Sequence, residues 1–301
     1  MQQYLALYLV PLSFIGSITT KAWANDEAFR PIDFPGAIFT NANGINSGGD
    51  IVGRHDTADG RAHGYLLSGR DFISFDFPDA IFTGPLDINP DGDIVGRYTS
   101  ADSVFHGFVL SGDEFTSIDF PGAVFTLGLG INPQRDIVGA YGTDDDRQHG
   151  YLLRGETFTT IDFPGAILTH VHGINPCGDI VGRYTSTDGG PHGFLLREGR
   201  FTTIDFPGGT LTNSASRINA RGDIVGRYAI PGGQTRGYLL RHGEFARIDF
   251  PGATYTDPYG INPQGDIVGW YGGTDGRTHG FSLSSDGQDD GNEHDCEHER
   301  E

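Results

Sequence analysis

Six aspartates recur in one setting. Asp33, Asp76, Asp119, Asp162, Asp205 and Asp249 each lie inside a near-copy of Phe-Thr-Thr-Ile-Asp-Phe-Pro-Gly. His63, His106, His149 and His192 each precede one of these aspartates by 13 residues, and Arg236 precedes Asp249 by the same interval. Paired imidazoles and carboxylates can move protons, so general acid–base work is one chemistry they could do. A second signal is His170-Val171-His172. On an extended segment, residues i and i+2 face the same way, so both imidazoles could hold one metal such as Zn. Asp87-Ile88-Asn89-Pro90-Asp91-Gly92-Asp93 starts like an oxygen-ligand Ca loop, but the Glu twelve positions along is missing.

Repetition argues against six active sites. The aspartates are spaced by 43, 43, 43, 43 and 44 residues, and the extra residue falls in the Asn-Ser-Ala-Ser-Arg tract of the fifth unit. Asp-Ile-Val-Gly is unchanged in all six units, from Asp50 to Asp266. An active site seldom needs six equal copies, so the repeated residues are expected to be scaffold. A period of this length marks a repeat fold.

One unit, 115–157, holds four strand-like stretches: FTSIDF, AVFTLGLGIN, DIVGAY and HGYLLRG, separated by Pro-Gly, Asn-Pro and Asp-rich turns. No stretch keeps a helical period for three turns. The expected fold is all-β: a six-bladed β-propeller of four-stranded blades. The chain's first strand, FRPIDF, has no unit before it, and the last unit ends at HGFSL without its fourth strand. The first strand is therefore expected to complete the last blade and close the ring.

Strand pairing then gives the aspartates a role. A two-residue turn at Ser111-Gly112-Asp113-Glu114 pairs 111 with 114, and so places His106 opposite Asp119. The same register pairs His63 with Asp76, His149 with Asp162, His192 with Asp205 and Arg236 with Asp249. Ring closure pairs His279 with Asp33. These six are read as cross-strand staples rather than catalytic pairs.

The string H-G-F-L-L-x-x-G-x-F-x-x-I-D-F-P-G-A-x-x-T-x-x-x-G-I-N-x-x-G-D-I-V-G resembles the HAF repeat of probable extracellular bacterial proteins, over about residues 29–284. Gly stands for Ala in the His-Ala-Phe triplet, and IDFPGA for an Asp-Leu-Gly-rich stretch. The resemblance implies an exported, propeller-like protein and carries no activity with it.

Residues 4–18 are apolar and AWA at 22–24 matches a small-x-small cleavage site, so residues 1–24 read as a signal peptide. The domain is placed at 25–284 and an acidic disordered tail at 285–301. The expected location is secreted or periplasmic, with no membrane span. The net charge of −20 disfavours nucleic acid as a partner. Two cysteines, Cys177 and Cys296, are too few for a disulfide framework.

Variation is confined to two sets of loops, and binding usually lives on variable loops held by a rigid scaffold. His170 and His172, with Asp257, Tyr259, Asn41 and Asn43 at equivalent places in other units, are the candidate ligand-binding residues at the channel mouth. The first expectation is a non-catalytic, monomeric binding or surface-interaction scaffold for a glycan, protein or small molecule. The alternative is a propeller enzyme, a metal-assisted hydrolase or lyase, with its site at that mouth. Arg221-Gly222-Asp223, an Asp-box-like tract at 186–190 and His294-x-Cys296-x-His298 in the tail are weaker signals.

Overall fold

A computed structural model describes residues 28–101 and 103–285. Twenty-four strands and no α-helix occur among them. Each repeat supplies four antiparallel strands in chain order. In the third unit these are Phe125–Ile131, Ile137–Gly142, Gln148–Arg154 and Thr157–Ile161.

Burial is greatest on the first two strands and least on the fourth. The Ile-Val-Gly second strand is buried on both faces, while the fourth strand alternates and faces water. Such a sheet packs its first two strands against neighbouring units and leaves its edge in solvent. The first strands of successive units touch one another, and that of unit 1 also packs against the first strand of unit 6.

The chain's first strand, Phe29–Ile32, pairs antiparallel with its last, Thr278–Leu283, with Phe29 opposite Leu283 and Ile32 opposite Gly280. The last sheet thus takes its outer strand from the N-terminal end.

The repeated letters have repeated jobs. Phe120, at the end of Ile-Asp-Phe, stacks on Tyr141 of the next unit with ring centroids 3.6 Å apart, and Tyr141 in turn stacks on His149. Phe77, Phe163 and Phe250 do the same with Tyr98, Tyr184 and Tyr271. In the first unit His55 replaces the Tyr and stacks on Phe34 at 3.6 Å. Each stack ties one unit's fourth strand to the next unit's second. The Thr that follows the Pro-Gly turn accepts the amide of that same Phe, as in Thr126 with Phe120 at 2.9 Å. The Asn of Gly-Ile-Asn accepts the amide of the following Asp and donates to its carboxylate, which closes the turn between the first two strands. It also reaches sideways: Asn175 donates to Asn219 O and Asn219 to Asn262 O.

The glycine of Asp-Ile-Val-Gly has a steric cause. A Cβ on Gly139 would sit 1.9 Å from the Leu127 carbonyl oxygen, and the same glycine in the other five units meets the same carbonyl at 2.0–2.3 Å. Gly139→Ala is therefore expected to lower stability by about 3 kcal/mol or more. Thermal unfolding followed by circular dichroism should show a melting point lower by roughly 6–12 °C.

Candidate functional site

In each of the six staples the two partners meet. His63–Asp76, His106–Asp119, His149–Asp162, His192–Asp205 and His279–Asp33 approach to 2.8, 2.6, 2.9, 3.0 and 2.7 Å, and Arg236–Asp249 to 3.4 Å. The histidines are half-buried and the carboxylates largely exposed. Burial opposes a charge on His279, but Asp33 and Asp275 outweigh it and raise its pKa. Burial raises the Asp249 pKa, with Arg236 and Arg247 offsetting part of that. These pairs are spread round the outer edge, one per unit, and share no cleft.

The units differ most at the centre. Arg217 stands where four units have the Gly of Gly-Ile-Asn, and Asp87 stands there in the second unit. The two side chains are both buried and meet at 3.3 Å. The Arg217 guanidinium also donates to the carbonyls of Leu86, Leu129, His172 and Ser216, one from each of units 2 to 5. Its charged carbon lies 5.2 Å from the Tyr259 ring of unit 6. Asp87 accepts the Ile131 amide at 3.0 Å. Burial raises its pKa, and Arg217 offsets part of that shift.

Asp87 is therefore a structural partner of Arg217 and not the first ligand of a calcium loop. Asp93, from the same tract, pairs with Arg135 at 3.2 Å. The fifth unit makes room for Arg217 with an eight-residue first strand, Leu211–Ile218, carrying two register shifts instead of one.

Beside this plug stands a ring of second-strand residues. The residue after Asp-Ile-Val-Gly, read round the six units, is Arg54, Arg97, Ala140, Arg183, Arg227 and Trp270. Each sits opposite a first-strand residue: Asn41, Gly84, Leu127, His170, Ser214 and Asp257. The ring is thus cationic on four units, aromatic on one and small on one. Leu86, Leu127, Leu129 and Ala140 form an apolar wall against which Tyr259 packs. Tyr259 also lies 5.0 Å from Trp270.

The six candidate ligand residues divide. His170 Nε2 is 2.6 Å from Gln148 Oε1, and its Nδ1 is 3.4 Å from Arg183. His172 is buried, and its Nδ1 has no hydrogen-bond partner. Burial, then Arg183, lowers the His170 pKa to about 3. Burial and the surrounding cations push His172 well below the usual imidazole range. Both imidazoles are therefore neutral at ordinary pH. Their ring centroids are 6.2 Å apart, and no group of three or more His, Cys, Asp or Glu side chains suited to a metal occurs among the described residues.

Asp257 is buried and paired with Arg227, and its Oδ1 has no hydrogen-bond partner. Burial raises its pKa, with Arg227 offsetting part of that. Asn41 and Asn43 are occupied structurally: Asn41 Oδ1 accepts the Arg54 amide, and Asn43 Nδ2 donates to Pro85 O, both at 2.7 Å.

The arginine ring was missed by reasoning from the sequence. Its signal was the single variable position directly after the invariant Asp-Ile-Val-Gly, hidden inside an otherwise regular strand rather than in a loop.

A separate cavity of about 740 Å³ opens between units 4 and 5 on the face of the short turns, beside Arg154, Arg197, Arg221, His242 and Cys177. Its arginines are already matched: Arg154 with Asp136, Arg197 with Asp179 and Arg221 with Asp223. Asp223 is also held by Arg241, so Arg221-Gly222-Asp223 is part of this packing. Cys177 is disulfide-bonded. Cys296 and the tail histidines lie outside the described residues, as does all of 1–27. Ser285 is held by the last unit's turn, through Asp266 and Gln264.

Solved structures carry the same arrangement of chain. A mutant of the Aleuria aurantia lectin in complex with Fucalpha1-6GlcNAc superposes with a TM-score of 0.54 at 13% identity, covering 82% of this chain and 93% of that one. AofleA from Arthrobotrys oligospora gives 0.54 at 12% identity over 90% and 89%. A further structure of the Aleuria aurantia lectin, described as a six-bladed β-propeller with a novel fucose recognition mode, gives 0.50 at 13% identity over 82% and 93%.

The fold is a β-propeller. No family model matches the chain, and no curated protein matches it either. At these identities the likeness carries the fold alone.

The Arg217–Asp87 pair can be tested directly. Arg217→Met leaves a buried carboxylate unpaired and is expected to cost about 3–5 kcal/mol. Adding Asp87→Leu should restore most of that loss. A double-mutant cycle by denaturant unfolding reads the coupling; equal losses in the single and double variants would remove the pair from its central place.

Proposed function

We propose that the chain is an exported, closed six-bladed propeller that binds glycans at its channel-mouth cup and does no chemistry on them. One observation carries this reading. The Tyr259–Trp270 aromatic pair is partly exposed, Asp257 sits opposite Trp270, and the buried Asp257 Oδ1 and His172 Nδ1 have no hydrogen-bond partners. An aromatic surface beside a few fixed polar groups is what a polar ring with apolar faces requires. The lectin neighbours, one of them in complex with Fucalpha1-6GlcNAc, support the ligand class. Export is supported by the apolar run at 4–18 followed by AWA. The resemblance of the repeats to HAF repeats agrees with an extracellular role. Closure is supported by the pairing of Phe29–Ile32 with Thr278–Leu283.

A glycan array probed with the mature protein is expected to return selective binders. Trp270→Ala should weaken the best of them by about 10-fold or more, a loss of roughly 1.4 kcal/mol. An array without binders, or one indifferent to Trp270, would sink the reading. Ring closure has its own test. Deleting residues 25–35 strips the outer strand from the last sheet, and a closed ring should then melt roughly 10 °C or more lower. A loss of only a degree or two would favour an open stack.

A further inference from the structure

We infer that the cup takes an acidic sugar, whose carboxylate or sulfate is gripped between Arg97 and Arg183; this rests on the glycan reading. The argument begins with charge. The whole chain carries −20, yet five arginines converge on the centre: Arg54, Arg97, Arg183, Arg217 and Arg227. Three of them have carboxylates. Arg54 lies 2.9 Å from Asp56, Arg217 pairs with Asp87, and Arg227 pairs with Asp257.

Arg97 and Arg183 have none among the described residues. Arg97 lies over the rings of Phe82 and Phe105, and Arg183 lies 3.4 Å from His170 Nδ1. The Nε of each is buried and without an acceptor. Burial lowers the pKa of both side chains, as expected of charges left without a counter-ion.

Position makes these two into a site. They occupy the same register on the second strands of units 2 and 4. Between them, unit 3 presents Ala140, which is buried in the cluster that Tyr259 packs against. The Tyr259 phenol lies within electrostatic reach of Arg97, Arg183 and Arg227. His172, nine-tenths buried and with a free Nδ1, faces Arg183, Arg217 and Arg227.

A guanidinium presents parallel N–H donors that match the two oxygens of a carboxylate or sulfate. The partly exposed Tyr259–Trp270 pair gives the sugar ring an apolar surface. The strongly negative outer surface repels a long polyanion. The ligand that fits is therefore a single acidic residue at a glycan end, not a polyanionic chain.

Isothermal titration of the mature protein tests this with five probes. They are a disaccharide ending in hexuronate, its methyl ester, its carboxyl-reduced form, an O-sulfated neutral disaccharide and sodium sulfate. The acid is expected to bind at least about 10-fold tighter than its ester, and the advantage should shrink with added salt. Arg97→Gln with Arg183→Gln should bring the acid down to the level of the ester. A preference for the sulfated sugar over the uronate would support the inference and name the oxyanion.

Equal binding of acid, ester and reduced sugar would overturn the inference while leaving the glycan reading standing. Binding of no sugar at all would overturn both. Sulfate bound without any sugar would mean an adventitious ion only, and would overturn the inference. The acid-to-ester ratio is measured on the unaltered protein, so it decides the matter even if the double variant does not fold.

Discussion

One guanidinium holds the centre of this molecule. Arg217 reaches carbonyl oxygens from units 2, 3, 4 and 5, pairs with Asp87 and lies against Tyr259 of unit 6. A buried arginine is costly unless every donor finds an acceptor. Here three of the four carbonyls and the carboxylate come from strands distant in the chain, so those contacts form only when the strands are all in place. It acts as a keystone whose own desolvation enforces the arrangement around it.

Around the keystone the structure is regular for a simple reason. Each unit solves the same packing problem with the same residues. The Phe–Tyr–His stack joins neighbours, the Asn turn joins the first two strands, and the His–Asp pair fixes the third to the fourth. The glycine after Ile-Val lets the second strand lie against a carbonyl that any Cβ would strike. These devices act between residues close in sequence or one repeat apart, which is why they survive six copies with little change. Where the strands of the copies differ, the differences gather at the centre, where the first strands of the units meet.

The electrostatics follow from the same division. Outer and lower surfaces match or exceed their cations with carboxylates, as with Arg197 and Asp179. The mouth does not. Arg97 and Arg183 remain without counter-ions among the described residues of a strongly acidic protein. An unmatched, half-buried charge is a standing cost to the fold. It is consistent with a site whose partner is supplied from outside.

Much of this was legible in the sequence. Alternation, Pro-Gly and Asn-Pro turns and the 43-residue period are local signals, and local signals fix strands, hairpin register and hence which His faces which Asp. Four of the site residues, His170, His172, Asp257 and Tyr259, stood out because they broke the repeat. Two other breaks were visible but could not be joined. Asp87 and Arg217 replace the same glycine in units 2 and 5, 130 residues apart. Nothing in the intervening chain says that they touch. Nor does the sequence say which face of the Ile-Val-Gly-Arg strand turns toward the axis, and so it hid the arginine ring. The sequence by itself determined the units and their internal pairing, because those depend on neighbours a few residues away. Only the tertiary structure decided the centre, because packing the units around one axis brings six distant positions to the same place.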